Sequence, residues 1–190
     1  MKKDIKIGVV GLGFVGLTLS IASALKGIKV YGLEVNEVTK NNIKEGKAHF
    51  YEPGINNYLE NVLNKNFFIV DDLDKIEELD AIIITVGTPL LSDNSTPNFE
   101  YIKEALNSIG KNIAKNTVVI LRSTVAVGTT RQTVIPYLKE ILNVEDDELF
   151  VHSRKFYNRY KDGFLPFHIM IYDNQRIELY NIYILFYVTL

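Results

Sequence analysis

The stretch Ile5-Lys6-Ile7-Gly8-Val9-Val10-Gly11-Leu12-Gly13-Phe14-Val15-Gly16 begins as an apolar run and then breaks into spaced glycines. The run reads as a buried strand. Phe14 to Leu25 then carries apolar residues at helical spacing, and Gly27 stands where a helix C-terminus is expected. Gly11, Gly13 and Gly16 therefore form GxGxxG at a strand-to-helix turn, and each place has a physical demand for glycine. Gly11 lets the chain turn tightly, Gly13 lets the backbone approach a pyrophosphate, and Gly16 lets the helix lie close to the strand. Phosphates would rest on the N–H groups and positive end of the helix that Phe14 and Val15 open.

A second strand, Ile28 to Leu33, ends in Glu34, 18 residues after Gly16. A carboxylate there accepts hydrogen bonds from the adenosine ribose hydroxyls. It would repel a 2′-phosphate, and no arginine follows closely to offset the charge, so NAD is favoured over NADP. FAD is the main competitor on the glycine motif alone.

Outward from this unit, strand and helix patterns alternate to about Asn143. Asn36 is placed to cap a helix to about Glu45, and Glu52-Pro53-Gly54 opens another over Ile55 to Leu63. Phe67 to Val70 is a short strand, and Ala81 to Val86 is a continuous apolar one, as expected when both sheet faces are covered. A helix over Phe99 to Ile113, a strand over Thr117 to Leu121 and a helix to Leu142 follow. Thr129 or Thr130 is the expected cap of that last helix, and Pro136 should bend it or mark its first turn. The alternation indicates an α/β fold, a Rossmann-type doubly wound, mainly parallel sheet with helices on both faces. Ligands of such sheets bind outside the C-terminal strand ends. Thr88 and Thr124, in the loops after the fourth and fifth strands, are thereby expected at the cofactor crevice.

The chain has 190 residues, 21 Lys+Arg against 23 Asp+Glu, and no cysteine. That length gives one main domain. The near-neutral charge argues against nucleic acid as a partner, and the lack of cysteine excludes disulfides, thiolate metal sites and a cysteine nucleophile in these residues. His49, His152 and His168 lack metal-ligand spacing, so no metal is expected. The start of the chain does not lead into a secretory signal, and no apolar run reaches the roughly 18 residues of a membrane span. A cytoplasmic protein without a membrane partner is expected.

Residues 1–150 are read as the NAD-binding domain and 151–190 as an atypical tail, a remnant of the last strand and helix of the same domain. Between Ser153 and Asp162 aromatics alternate with Arg and Lys at neither strand nor helix period. Regularity returns at His168-Ile169-Met170-Ile171, a strand pattern, and a helix is expected from Asn174. The apolar run Ile182 to Leu190 is expected to be exposed and to promote self-association.

The stretches GVVGLGFVGL (Gly8–Leu17), GLEVNE (Gly32–Glu37), YEPGI (Tyr51–Ile55), VGTPL (Val86–Leu90) and RSTVAVGTTR (Arg122–Arg131) resemble, in order and spacing, the N-terminal domain of the UDP-glucose/GDP-mannose dehydrogenase family. The resemblance covers about residues 4–150. It implies oxidation of the C6 alcohol of a nucleotide sugar to a carboxylate with two NAD in sequence, in the service of polysaccharide biosynthesis. It also implies a cysteine nucleophile and sugar-gripping residues in further domains, and a position for Thr124 near the nicotinamide and a catalytic water. The Pro-Glu-Arg motif that the family carries after Leu149-Phe150-Val151 is replaced by His152-Ser153-Arg154-Lys155, while family-like sequence resumes over His168–Leu179. That interval reads as out of frame relative to an ancestral gene, and nucleotide sequence through codons 150–170 tests it. NAD binding with little sugar oxidation is expected of these residues, with a UDP-sugar as partner only if the missing domains are supplied. Rival readings are an NAD-binding or assembly module paired with a separate catalytic chain, and a small-hydroxyacid dehydrogenase.

Overall fold

The computed structural model describes residues 5–73, 76, 79–92, 97–109, 117–125, 129–143, 151–153, 164–173 and 176–185. The opening apolar run becomes strand β1 (Lys6–Val10), followed by helix α1 (Phe14–Leu25) and strand β2 (Lys29–Leu33). Gly27, at φ 85°, ends α1 in the left-handed conformation that glycine adopts without steric cost. Helix α2 (Glu37–Lys44) begins where expected, with Asn36 Oδ1 accepting the Thr39 N–H at 2.9 Å. Helix α3 (Ile55–Val62), strand β3 (Phe67–Val70), strand β4 (Ala81–Ile84) and helix α4 (Glu100–Ile109) follow. Strand β5 (Val118–Leu121), helix α5 (Ile135–Leu142) and strand β6 (Val151–Ser153) complete the unit.

The six strands pair in the order β3-β2-β1-β4-β5-β6, every neighbouring pair parallel. Side chains alternate across each strand and feed two cores. Ile7, Val9, Val30, Ala81, Ile83 and Ile120 face Leu17, Ile21 and Leu59 of α1 and α3 on one side. Val10, Leu33, Ile82, Ile84, Val119 and Leu121 face Ile102, Leu106 and Leu138 of α4 and α5 on the other. With both faces covered, β4 is buried at every position, which is why it reads as an unbroken apolar run. The chain leaves β1 toward β2 and β3, then returns to place β4 on the other side. The order therefore reverses between β1 and β4, and their C-terminal ends flank the crevice where this fold takes its ligands.

Several details differ from the sequence expectations. Thr129 is already in helical conformation, and neither its side chain nor that of Thr130 caps the segment. Thr130–Val134 is instead a widened π turn that runs into α5. Pro136, at the start of α5, has no N–H for the carbonyl four residues back and its ring crowds that carbonyl, so the preceding turn opens. Helix α4 begins at Glu100 rather than Phe99, and the expected extension to Ile113 lies outside the described residues. The expected helix from Asn174 is a strand. Strand β7 (Phe164–Asp173) and strand β8 (Arg176–Leu185) form an antiparallel ribbon in register from Asp173↔Arg176 to Phe164↔Leu185. The Ile and Tyr content of Arg176–Leu185 favours extended backbone once β7 supplies a partner. The irregular stretch 154–163 lies outside the described residues.

Candidate functional site

At the C-terminal end of β1 the chain turns through Gly11, at φ 87°, a conformation side chains of L-residues seldom adopt. A Cβ at Gly11 would also press on Val86 Cγ1 at 3.1 Å. Gly16 is closed off by the protein itself. A Cβ there would run into the Gly11 carbonyl oxygen and lie 2.6 Å from Thr85 Oγ1. Gly13 is different. Its backbone is extended (φ −62°, ψ −168°), open to any L-residue, and a Cβ on it would meet no protein atom within 4 Å. No contact in the folded protein calls for glycine at Gly13, and the open space above it fits a group that comes from outside. Gly13, Phe14 and Val15 are all exposed. No side chain caps α1 and no acidic residue lies in its first turn, so its positive end is turned to this space with no carboxylate in that turn to offset it.

Glu34 follows β2, beside this turn. Its two carboxylate oxygens accept backbone N–H groups, Oε2 from Leu12 at 2.8 Å and Oε1 from Asn36 at 2.9 Å. The carboxylate is thus fixed next to the glycine loop, half-buried, with lone pairs left for diol hydroxyls.

Thr88 and Thr124 are brought together, as their strand-end positions suggested. Thr88 Oγ1 donates to the Thr124 carbonyl at 2.6 Å, so its proton braces the two loops and its lone pairs remain acceptors. The Thr124 side chain is exposed. Two further hydroxyls, which the sequence reading did not single out, complete the rim. Ser123 Oγ donates to the Val86 carbonyl at 2.6 Å, and Thr85 Oγ1 donates to the Gly11 carbonyl at 2.6 Å. Hydroxyl-to-carbonyl bonds therefore tie the loop after β1 to that after β4, and the loop after β4 to that after β5. The available signal was a small hydroxyl residue directly after each apolar strand or one residue beyond it.

A glycine loop with open space over its middle glycine, an uncapped helix end and a fixed carboxylate one strand away are the parts of a dinucleotide cradle. Residues 5–156 match the NAD binding domain of the UDP-glucose/GDP-mannose dehydrogenase family.

The chain belongs to that family.

Its cofactor is NAD, and the residues above fit it. A UDP-N-acetyl-D-mannosamine dehydrogenase of Campylobacter jejuni is 41% identical over 127 residues, which are 67% of this chain and 31% of the relative. A UDP-glucose 6-dehydrogenase of Bacillus subtilis is 36% identical over 126 residues, 65% of this chain and 27% of the relative. Among solved structures, the UDP-N-acetyl-mannosamine dehydrogenase of Staphylococcus aureus superposes with a TM-score of 0.70 at 30% identity. That match covers 78% of this chain and 36% of the other. The chain thus spans about a third of the length of the dehydrogenases it matches. Among the described residues no helix is long and apolar enough to cross a membrane.

Proposed function

We propose that this chain supplies the NAD site of a nucleotide-sugar 6-dehydrogenase, whose substrate is a UDP-hexose and, more narrowly, a UDP-N-acetylhexosamine. NAD, when bound, takes hydride from the C6 carbon of the sugar alcohol. The chain's own residues bind and orient. The backbone of Gly11, Gly13, Phe14, Val15 and Gly16 takes the pyrophosphate, and the Glu34 carboxylate accepts from the adenosine ribose hydroxyls. Each such bond to a charged acceptor contributes about 1.5–3 kcal/mol. Thr88 and Thr124 line the nicotinamide side, with Thr124 near the nicotinamide and a catalytic water as the resemblance implies. The observation that carries this reading is the space over Gly13, which the protein leaves unfilled at the end of an uncapped helix.

The N-acetylhexosamine reading is supported by the higher identity to the UDP-N-acetyl-D-mannosamine dehydrogenase, 41% against 36% for the UDP-glucose 6-dehydrogenase. The route that the resemblance implies, in which a cysteine nucleophile adds to the aldehyde intermediate as a thiohemiacetal, needs a cysteine, and these 190 residues contain none. Sugar oxidation therefore calls on residues beyond them. We place the protein in the cytoplasm, where NAD and nucleotide sugars are held, and its product in polysaccharide biosynthesis. Calorimetric titration with NAD and with NADP tests the site. NAD binding with much weaker NADP binding is expected, and equal binding of the two, or none, overturns the assignment of Glu34 and the glycine loop.

A further inference from the structure

The peptide unit joining Gly11 to Leu12 is the tightest point of the turn between β1 and α1, and both of its polar atoms are held. Its carbonyl oxygen accepts the Thr85 hydroxyl at 2.6 Å, and its N–H donates to Glu34 Oε2 at 2.8 Å. Thr85 follows β4 and Glu34 follows β2, the two strands that flank β1. The peptide is therefore gripped from both sides of its own strand. Thr85 Oγ1 also lies 3.0 Å from the Val10 carbonyl, but that oxygen already accepts the Thr85 N–H at 2.9 Å. A hydroxyl has one proton, and the shorter contact, to Gly11, takes it. One residue earlier, the Gly11 N–H donates to the Leu33 carbonyl at 2.9 Å.

A grip is needed because glycine gives this peptide freedom. With no side chain on Gly11, tilting of the Gly11–Leu12 peptide about the Gly11 Cα–C bond is sterically cheap, whereas a full flip would force Leu12 to positive φ. Such a tilt swings the carbonyl off the Thr85 hydroxyl and the N–H off Glu34, and strips that carboxylate of one of its two backbone donors. The Thr85 hydroxyl opposes the tilt by holding the carbonyl. It is packed against the inner side of the loop, 2.6 Å from where a Gly16 Cβ would stand.

We infer that Thr85 is a positioning residue for NAD, acting through the Gly11–Leu12 peptide, which it and Glu34 clamp in the orientation that presents the glycine loop and the carboxylate together. The inference rests on the NAD reading of the site, but the clamp itself is measurable without cofactor. Two variants of the 190-residue chain test it, Thr85→Ala, which removes the hydroxyl, and Thr85→Ser, which keeps it.

The first readout is amide hydrogen exchange by NMR in the absence of NAD. In Thr85→Ala the Leu12 amide should exchange about tenfold faster, as expected when a hydrogen bond that orders its peptide is lost. Amides within the sheet, such as those of Val9 and Ile83, should keep their rates, and Thr85→Ser should restore Leu12. General destabilisation would speed all of them together, which overturns the clamp, as does an unchanged Leu12. The second readout is NAD titration. Thr85→Ala should bind NAD about three- to tenfold more weakly, and Thr85→Ser within about twofold of the wild type. Faster Leu12 exchange with unchanged NAD affinity overturns the positioning role. A wild-type chain that binds no NAD overturns the cofactor reading and the positioning role with it, while the exchange rate of Leu12 still decides the clamp.

Discussion

Replacing Gly13 by alanine should separate binding from stability, and replacing Gly16 should not. At Gly13 the backbone is already extended and the new methyl would touch no protein atom within 4 Å. The unfolded chain loses glycine's freedom, a stabilisation of about 0.4–1 kcal/mol, but Gly13 is the N-cap of α1, where alanine is worse than glycine by about 0.5–1 kcal/mol, so the two effects offset. For a chain of this size Tm should then stay within roughly 2 °C of the wild type. The same methyl stands where the pyrophosphate must come close. If accommodating it costs about 1–3 kcal/mol, as for an extra methyl in a filled site, NAD affinity falls about 5- to 160-fold. At Gly16 the methyl meets the Gly11 carbonyl, a backbone atom, and Thr85 Oγ1. The same cost of about 1–3 kcal/mol then falls on folding and lowers Tm by roughly 2–12 °C. Differential scanning calorimetry and NAD titration on both variants give four numbers. NAD affinity for Gly13→Ala within twofold of the wild type would refute the placement of the pyrophosphate. A loss of Tm at Gly13 equal to that at Gly16 would refute the claim that this glycine serves the ligand and not the fold.

Glu34→Gln puts an amide NH2 where one oxygen accepts a backbone N–H, so donor faces donor at Leu12 or Asn36 and the charged acceptor is gone. NAD affinity should fall about tenfold or more and discrimination against NADP should narrow, both read by paired titrations; unchanged discrimination would sink the role of the carboxylate. Lys40, buried between Glu37 and Asp71, has its ammonium held above the ordinary lysine value by hydrogen bonds first to Glu37 and then to Asp71. A raised folded value contributes stability that is complete below the unfolded pKa of about 10.4 and is lost as pH rises through the folded one. The Tm difference between wild type and Lys40→Met should therefore stay constant from about pH 6 to 9.5 and shrink only above; a difference that changes near neutrality would contradict the pairing. The chain should self-associate through Ile182–Leu190 at high concentration, and a monodisperse monomer in analytical ultracentrifugation would refute that.

The parts of this fold written in local chemistry were legible. Apolar runs gave β1 and β4, Gly27 ended α1, and Asn36 capped α2 through its own side chain, which accepts from a backbone N–H three residues on. Strand β8 was not legible as a strand, because extended structure in Arg176–Leu185 depends on a partner up to 21 residues away across the ribbon, the Phe164↔Leu185 pair. Thr129 and Thr130 have the composition of helix caps, but the crowding imposed by Pro136 determines the turn that actually forms.

The candidate site divides along the same line. Gly11, Gly13, Gly16 and Glu34 announce themselves through their spacing around one strand-to-helix turn, even though the demand at Gly16 comes from the Gly11 carbonyl and Thr85 beside it. Thr85 does not, since its role is a bond to a carbonyl 74 residues earlier, and Ser123 bonds one 37 residues away, while Thr88, placed at the crevice by its strand-end position, also braces a carbonyl 36 residues away. These three hydroxyls continue the sheet beyond its last backbone pairing, tying loops whose strands have already ended. A motif that lists only the groups that touch a ligand leaves such residues out. Yet a glycine-rich turn is the segment least able to hold its own shape, so some of its geometry has to be imposed from neighbouring strands. Thr85 and Glu34 are placed on the two strands beside β1, where that can be done.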